Sequence, residues 1–181
     1  LEEKLSDAAG LAREDELTGC LNRRGFDEAF GREAKRARAD RPLCMALADL
    51  DDFRRLNAIH GHLGGDAALR HFADIARLTL RDSDVVGRFG GEEFALIFPG
   101  EASGAVSCAL EVIRKEIASR SLRRRSTNDD LGAVTISGGY AERQAGESLL
   151  ALMERADAAL YRSKRTGRNL ISAAETRVRA A

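Results

Sequence analysis

An α+β domain, with helices covering a mixed or mainly antiparallel sheet, is the fold class this sequence predicts. Three observations carry it. The apolar run Leu43–Leu50 has the length and composition of a buried central strand. Gly90 and Gly91 sit side by side between the β-type segments Val85–Phe89 and Phe94–Phe98. Such a pair marks a two-residue hairpin turn, because glycine tolerates the positive φ these turns need. Stretches of helical periodicity fill the chain on either side of these strands.

Taken in order, Leu1, Leu5, Ala8 and Ala12 alternate at spacings of four and three, a heptad seam too short to hold a coiled coil alone. The seam reads as the end of a longer helix cut from a larger protein, or as an amphipathic lead-in packed on its own domain. Asn22 caps a helix from Arg23 to Ala39, stopped by Asp40-Arg41-Pro42. After the strand Leu43–Leu50, helical patterns cover Phe53–His60 and Gly65–Leu80. The hairpin Val85–Phe98 leads to a helix over Ser103–Ser119. Arg120–Asp130 reads as an exposed polar loop whose basic run is a solvated face. Val134–Ala141 is a strand, Ser148–Thr166 a helix, and Asn169–Ala173 a short last strand.

A chain of 181 residues, 44% hydrophobic and 32% charged, suits one globular core with a short appendage. Its 29 basic and 29 acidic side chains cancel, so a nucleotide site must come from local arrangement. No apolar run approaches the length of a membrane span, and no signal-peptide pattern opens the chain. Neither nucleic-acid binding nor membrane contact by this fragment is therefore expected. Cys20, Cys44 and Cys108 are odd in number and lack C-x-x-C spacing, which reads as reduced cytosolic thiols.

The chemistry concentrates in Arg88–Phe94, R-F-G-G-E-E-F. Glu92 and Glu93 stand at the mouth of the turn, where adjacent carboxylates repel unless a cation or a protein partner neutralises them. Three further segments keep it company: D-E-L-T-G-C-L-N-R-R from Asp15, A-D-L-D-D-F-R-R-L-N-A-I-H-G-H-L-G-G-D from Ala48, and A-D-A-A-L-Y-R-S-K-R-T-G-R-N from Ala156. In this order they resemble the GGDEF-domain diguanylate cyclases, which join two GTP molecules into cyclic di-GMP. The resemblance covers nearly all of Asp15–Ile171. It implies a palm-like, ferredoxin-related nucleotidyl cyclase fold. Residues 15–175 would be the cyclase domain, 1–14 the end of a helix leading from an upstream sensory domain, and 176–181 a tail. A bacterial cytoplasmic location follows from the same likeness, as the cytosolic part of a larger protein.

Asp49 and Asp51 end the strand on one side of it by the period of two. Mg²⁺ is hard, prefers oxygen ligands, and is commonly held by one or two carboxylates plus substrate phosphates. By the resemblance, Asp49, the backbone carbonyl of Leu50, and Glu92 hold two Mg²⁺ ions per GTP half-site, with Mn²⁺ as the substitute. Glu92 would also assist removal of the 3′-hydroxyl proton, with Glu93 lending charge or a second ligand, and the division between them stays open. Asp51 is read as a structural cap for the helix starting at Phe53. The turn Asp51–Arg54 presents free N–H groups to phosphate oxygens. Phe53 and Arg54 belong to this substrate-binding turn, Arg54 replacing the family's usual Lys with a planar fork. Lys164 and Arg168 resemble the clamp on the γ-phosphate.

Asn57 and Asp66 resemble the guanine readers, with Leu17 lining the apolar side of the base and His62 beside the substrate. A carboxylate accepts from guanine N1–H and the 2-amino group, whereas adenine would leave Asp66 unpaired. Ala58 and Leu63 stand where acids are common in the family. His60 and His71 read as structural, since no third ligand with zinc spacing accompanies them. Arg81-x-x-Asp84, with five residues between Asp84 and Gly90, matches the family's inhibitory site for cyclic di-GMP, with Arg114 as a second arm; a plain Arg81–Asp84 salt bridge is the alternative. The main expectation is a cyclase working as a homodimer on GTP, inhibited by its product. The rival is a catalytically silent module that binds GTP or cyclic di-GMP. A third reading, a cyclase making a mixed dinucleotide, is opposed by Asp66.

Overall fold

The computed structural model describes residues 12–175. Leu1, Leu5 and Ala8 of the heptad seam lie outside the described residues, as do positions 176–181. Ala12, the last member of the seam, is exposed irregular chain. Strand β1 (Leu43–Leu50) is the centre of a five-stranded sheet. Its neighbours are β3 (Glu93–Pro99), which pairs in turn with β2 (Val85–Gly90), and β6 (Ile136–Glu142), which pairs with β7 (Ile171–Ala173). Every pairing in this sheet is antiparallel except β6 with β7, which is parallel. The expected α+β class holds.

Side chains alternate across a strand, so β1 feeds two cores. Cys44, Ala46, Ala48 and Leu50 pack with Phe94, Leu96 and Phe98 of β3 under α2 (Phe53–Thr79) and α3 (Ser103–Ser119). Leu43 and Met45 pack with Ala95 and Ile97 under α1 (Arg23–Arg36) and α4 (Leu149–Arg165). Phe72 of α2 stacks on Phe94 with centroids 4.1 Å apart, locking the helix over the hairpin's second strand. Asp49 belongs to the odd-numbered face of β1. It therefore looks toward α4.

Several boundaries differ from the sequence expectation. Helix α1 stops at Arg36 rather than Ala39, because Arg38 and Arg41 close a small bridge through mutual backbone hydrogen bonds of 3.1 and 2.9 Å. The two helical patterns after β1 join as one long helix kinked at Gly61, whose φ of 71° is non-helical. Ser148 caps α4, its hydroxyl accepting from the Ala151 N–H at 3.2 Å, and β7 starts at Ile171. The stretch expected to be a loop is instead the hairpin β4 (Ser121–Arg123) and β5 (Asp130–Ala133). Its charges hid the period of two: Ser121 and Arg123 are exposed while Leu122 is buried against the core with Leu131. Burying one such leucine stabilises by roughly 1.5–3 kcal/mol, enough to pin the hairpin. Arg124 of the basic run donates to the His60 carbonyl at 2.8 Å, so this charge ties the hairpin to α2.

Candidate functional site

Asp49, the penultimate residue of β1, is only 4% exposed. Its Oδ2 accepts from Lys164 Nζ on α4, while its Oδ1 is buried with no partner. Across the β1–β3 ladder Asp49 lies opposite Glu93, and the Leu50 N–H donates to the Glu92 carbonyl at 3.3 Å. Strand pairing thus brings motifs more than 40 residues apart to the C-terminal end of the central strand. Burial pushes the Asp49 carboxyl up from 3.8 to about 6; Lys164 pulls it back, and the charges of Glu92 and Glu93 add to the rise. A buried carboxylate oxygen with no donor, beside two further carboxylates, suits a hard dication. Among the described residues no three His, Cys, Asp or Glu side chains stand together as a complete metal cage. Main-chain and substrate oxygens must complete any coordination, the usual arrangement for Mg²⁺ beside phosphates.

The hairpin tip differs in detail from the expected pair of turn glycines. Gly90 pairs with Glu93, so the two turn residues are Gly91 and Glu92. Gly90 and Gly91 both take positive φ, 126° and 49°, which a side chain would oppose. Arg88 holds the tip: its Nε and Nη2 donate to the Gly91 carbonyl at 3.1 and 2.9 Å, and its Nη1 donates to Asp15 Oδ1 at 3.1 Å. Asp15 also accepts from Thr18 Oγ1 at 2.6 Å and the Thr18 N–H at 3.0 Å. Burial alone would raise the Asp15 carboxyl, but these bonds and the Arg88 charge outweigh it and hold the pKa below its usual value. Sequence reasoning quoted Asp15, Thr18 and Arg88 inside motifs without a role. The D-x-x-T spacing was the available signal, since such a carboxylate readily bonds the N–H three residues on.

On the phosphate side, Asp52 occupies the N-cap of α2 with a φ of 53°, and its side chain makes no capping bond. The first helical bond is Leu56 N–H to Asp52 O at 3.0 Å, which leaves the N–H groups of Phe53, Arg54 and Arg55 directed out of the helix start. The Asp52 carboxylate stands 3.7 Å from Arg168 Nε. Arg168, just past the end of α4, therefore flanks this helix start, Lys164 on α4 lies against Asp49 at the end of β1, and Arg54 is exposed at the helix start. Asp51 is not the helix cap expected from the sequence. Its carboxylate is buried and accepts from Thr135 Oγ1 and Ser137 Oγ at 2.7 Å each and from the Asn169 N–H at 2.9 Å.

On the base side, Asn57 packs so closely on Gly65 that a Cβ there would fall 2.0 Å from Asn57 Oδ1 and 2.9 Å from Phe53 Cζ. Only glycine fits. Asn57 Oδ1 is buried without a protein partner, and such orphaned polar atoms call for an explanation. Leu17 and Phe53 are half-buried against the same core cluster, forming an apolar wall, with Asp66 half-buried one turn beyond His62. His62 itself is exposed just past the Gly61 kink. Ala58 and Leu63, the two departures from the family pattern, are also exposed.

Arg81 and Asp84 are joined directly. Arg81 Nη2 lies 2.8 Å from Asp84 Oδ1, Nε lies 3.2 Å from Glu101 Oε1, and Nη2 also donates to the Pro99 carbonyl at 3.1 Å. Arg114 is not brought to this pair. It is bound to Glu111 at 2.8 Å and donates to Asn169 Oδ1 at 2.9 Å. Pro99 pairs with Leu43 at the start of β1, whereas Asn169 donates to Asp51 just past its end. Those ends lie ~23 Å apart at the rise of an extended strand.

The family model for the diguanylate cyclase GGDEF domain matches residues 12–170, which includes every residue of the candidate site. The chain belongs to the GGDEF domain family. Diguanylate cyclase VdcA of Vibrio cholerae is 35% identical over 171 residues, covering 94% of this chain and 50% of that protein. Response regulator PleD of Caulobacter vibrioides is 33% identical over 172 residues, covering 94% of this chain and 38% of that protein. The chain thus spans half the length, or less, of these curated GGDEF relatives. The crystal structure of the GGDEF domain of DgcB from Caulobacter crescentus in complex with c-di-GMP superposes with a TM-score of 0.85 at 48% identity, covering 91% of this chain and 97% of that one. No helix among the described residues is long and apolar enough to cross a membrane.

Proposed function

We propose that this GGDEF domain is a diguanylate cyclase, converting two GTP into one cyclic di-GMP and two pyrophosphates. One observation carries the reading: buried Asp49, with an unpartnered oxygen, meets the hairpin acids and Lys164 at the end of the central strand. That convergence supports a site for a metal-bound triphosphate. The intact G-G-E-E-F run and the c-di-GMP complex of the related DgcB domain support it further.

Asn57 and Asp66 bind the guanine edge, and Leu17 and Phe53 offer the apolar wall. The N-terminus of α2, Arg54, Lys164 and Arg168 hold the phosphates. Asp49, Glu92 and the Leu50 carbonyl would hold Mg²⁺, which when bound supplies Lewis-acid stabilisation of the phosphoryl oxygens. Glu92, beside Glu93, takes the proton of the 3′-hydroxyl. The 3′-oxygen then bonds to the α-phosphorus of the facing nucleotide, and pyrophosphate leaves with the electrons of the broken P–O bond. One copy presents one GTP, so a two-fold pair of domains completes both bonds with the same residues used twice. Product inhibition is assigned to Arg81, whose exposed face can take a guanine Hoogsteen edge while Asp84 anchors it.

Incubating the protein with GTP and Mg²⁺ and separating the products by chromatography tests this reading. Cyclic di-GMP with two pyrophosphates is expected. Intact GTP at high domain concentration, with GTP binding retained, would refute it in favour of a silent binding module.

A further inference from the structure

We propose that Asp51 and Arg114 are positioning residues that hold the loop Gly167-Arg168-Asn169 where it presents Arg168, next to Lys164 of α4, to the terminal phosphates of GTP. The inference rests on the phosphate role given to those two basic residues above. Its starting point is the loop's backbone. Gly167, Arg168 and Asn169 take φ values of 128°, 65° and 46° in succession, and two of them are not glycine. Asn visits the left-handed region readily, but Arg does not, and a left-handed Arg168 persists only where the surroundings over-determine it. The turn must therefore be held from outside.

Two fasteners do so from opposite sides. Asp51, anchored at the end of β1, accepts the Asn169 N–H at 2.9 Å. Thr135 and Ser137 beside it also donate, so both of its oxygens are already hydrogen-bonded within the protein. Arg114 comes from α3 and grips the other end of Asn169, donating to Oδ1 at 2.9 Å. Glu111, one helical turn back, holds the guanidinium bidentately at 3.1 and 2.8 Å, so Arg114 is itself oriented. Ser163 seats the preceding helix end, its hydroxyl donating to the Gly138 carbonyl at 2.7 Å. The chain of contacts runs from α3 through Asn169 to the strand that carries Asp49. Cutting the link releases Arg168 from its place beside the start of α2.

The test compares a triphosphate with a monophosphate. Binding of 3′-deoxy-GTP, which lacks the attacking hydroxyl, and of GMP is measured by calorimetry with Mg²⁺ for wild type, Arg114→Ala, Arg114→Lys, Asp51→Asn and Arg168→Ala. Arg114→Ala and Asp51→Asn are expected to weaken 3′-deoxy-GTP about tenfold while GMP affinity changes less than twofold, since the loop touches only the terminal phosphates. Arg114→Lys, which can still donate to Asn169, should recover most of the loss. Arg114 is partly exposed, so its variants keep the test open if Asp51→Asn fails to fold. Should Arg168→Ala weaken the triphosphate selectively while Arg114→Ala does not, the positioning role is overturned. Should Arg168→Ala itself show no selectivity, the phosphate role beneath the proposal falls.

Discussion

Replacing Asp49 by Asn should make the metal-free protein more stable and leave it inactive. The carboxylate is 4% exposed, and burial, with Glu92 and Glu93 nearby, raises its pKa from 3.8 to about 6 even with Lys164 against it. An acid whose pKa is higher in the folded than the unfolded state costs stability when ionised. The cost is absent below about pH 4, grows as pH rises through that interval, and is complete above about pH 6. A rise of this size corresponds to about 3 kcal/mol as a ceiling. Relaxation around the site and the half-exposed position of Lys164 reduce the gain expected for Asp49→Asn to about 1–2 kcal/mol at pH 8, or ~3–6 °C in Tm. Thermal unfolding in EDTA at pH 8 and pH 4 measures it, with the advantage expected at pH 8 and gone at pH 4. Cyclic di-GMP synthesis with Mg²⁺ should fall at least ~100-fold, because an anionic ligand is lost where transition-state charge is stabilised. A variant several degrees less stable at pH 8, or one with near-wild-type turnover, would refute the reasoning that this carboxylate is held at a cost for metal binding.

Three further outcomes follow from other contacts. Arg88→Ala removes the clamp between Asp15 and the Gly91 carbonyl, so turnover should fall ~10–100-fold with GTP binding largely retained, read from steady-state kinetics against calorimetry; an unchanged rate would show that the tip needs no clamp. Arg81→Ala should weaken cyclic di-GMP binding about tenfold or more and relieve product inhibition while basal synthesis persists; unchanged binding would return the pair to a plain salt bridge. Specific activity should rise with protein concentration, and fusion of a stable parallel coiled coil ahead of the domain should raise it again. Constant specific activity across a verified monomer–dimer transition would contradict the two-half-site mechanism.

The sequence by itself determined the α+β class, the strand Leu43–Leu50, the helix Ser103–Ser119 and the Gly90-Gly91 turn region. Each is written in local signals: an apolar run, a 3.6-residue period, and glycines where φ must turn positive. It also marked Asp49, Glu92, Asn57, Asp66, Lys164 and Arg168 as a set, because motif order survives in one dimension. Tertiary structure alone decided what the polar groups between the motifs bind. Asp51 looked like a cap because the helix next to it is local, but its real donors, Thr135, Ser137 and Asn169, lie more than 80 residues away. Arg114 looked like a partner for Arg81, yet the strand between them sets them at opposite ends of β1. The β4–β5 hairpin escaped notice because its two buried leucines are diluted by charge. A hydrogen bond's partner depends on which strand ends share an edge, and sheet register fixes that only after the chain has folded.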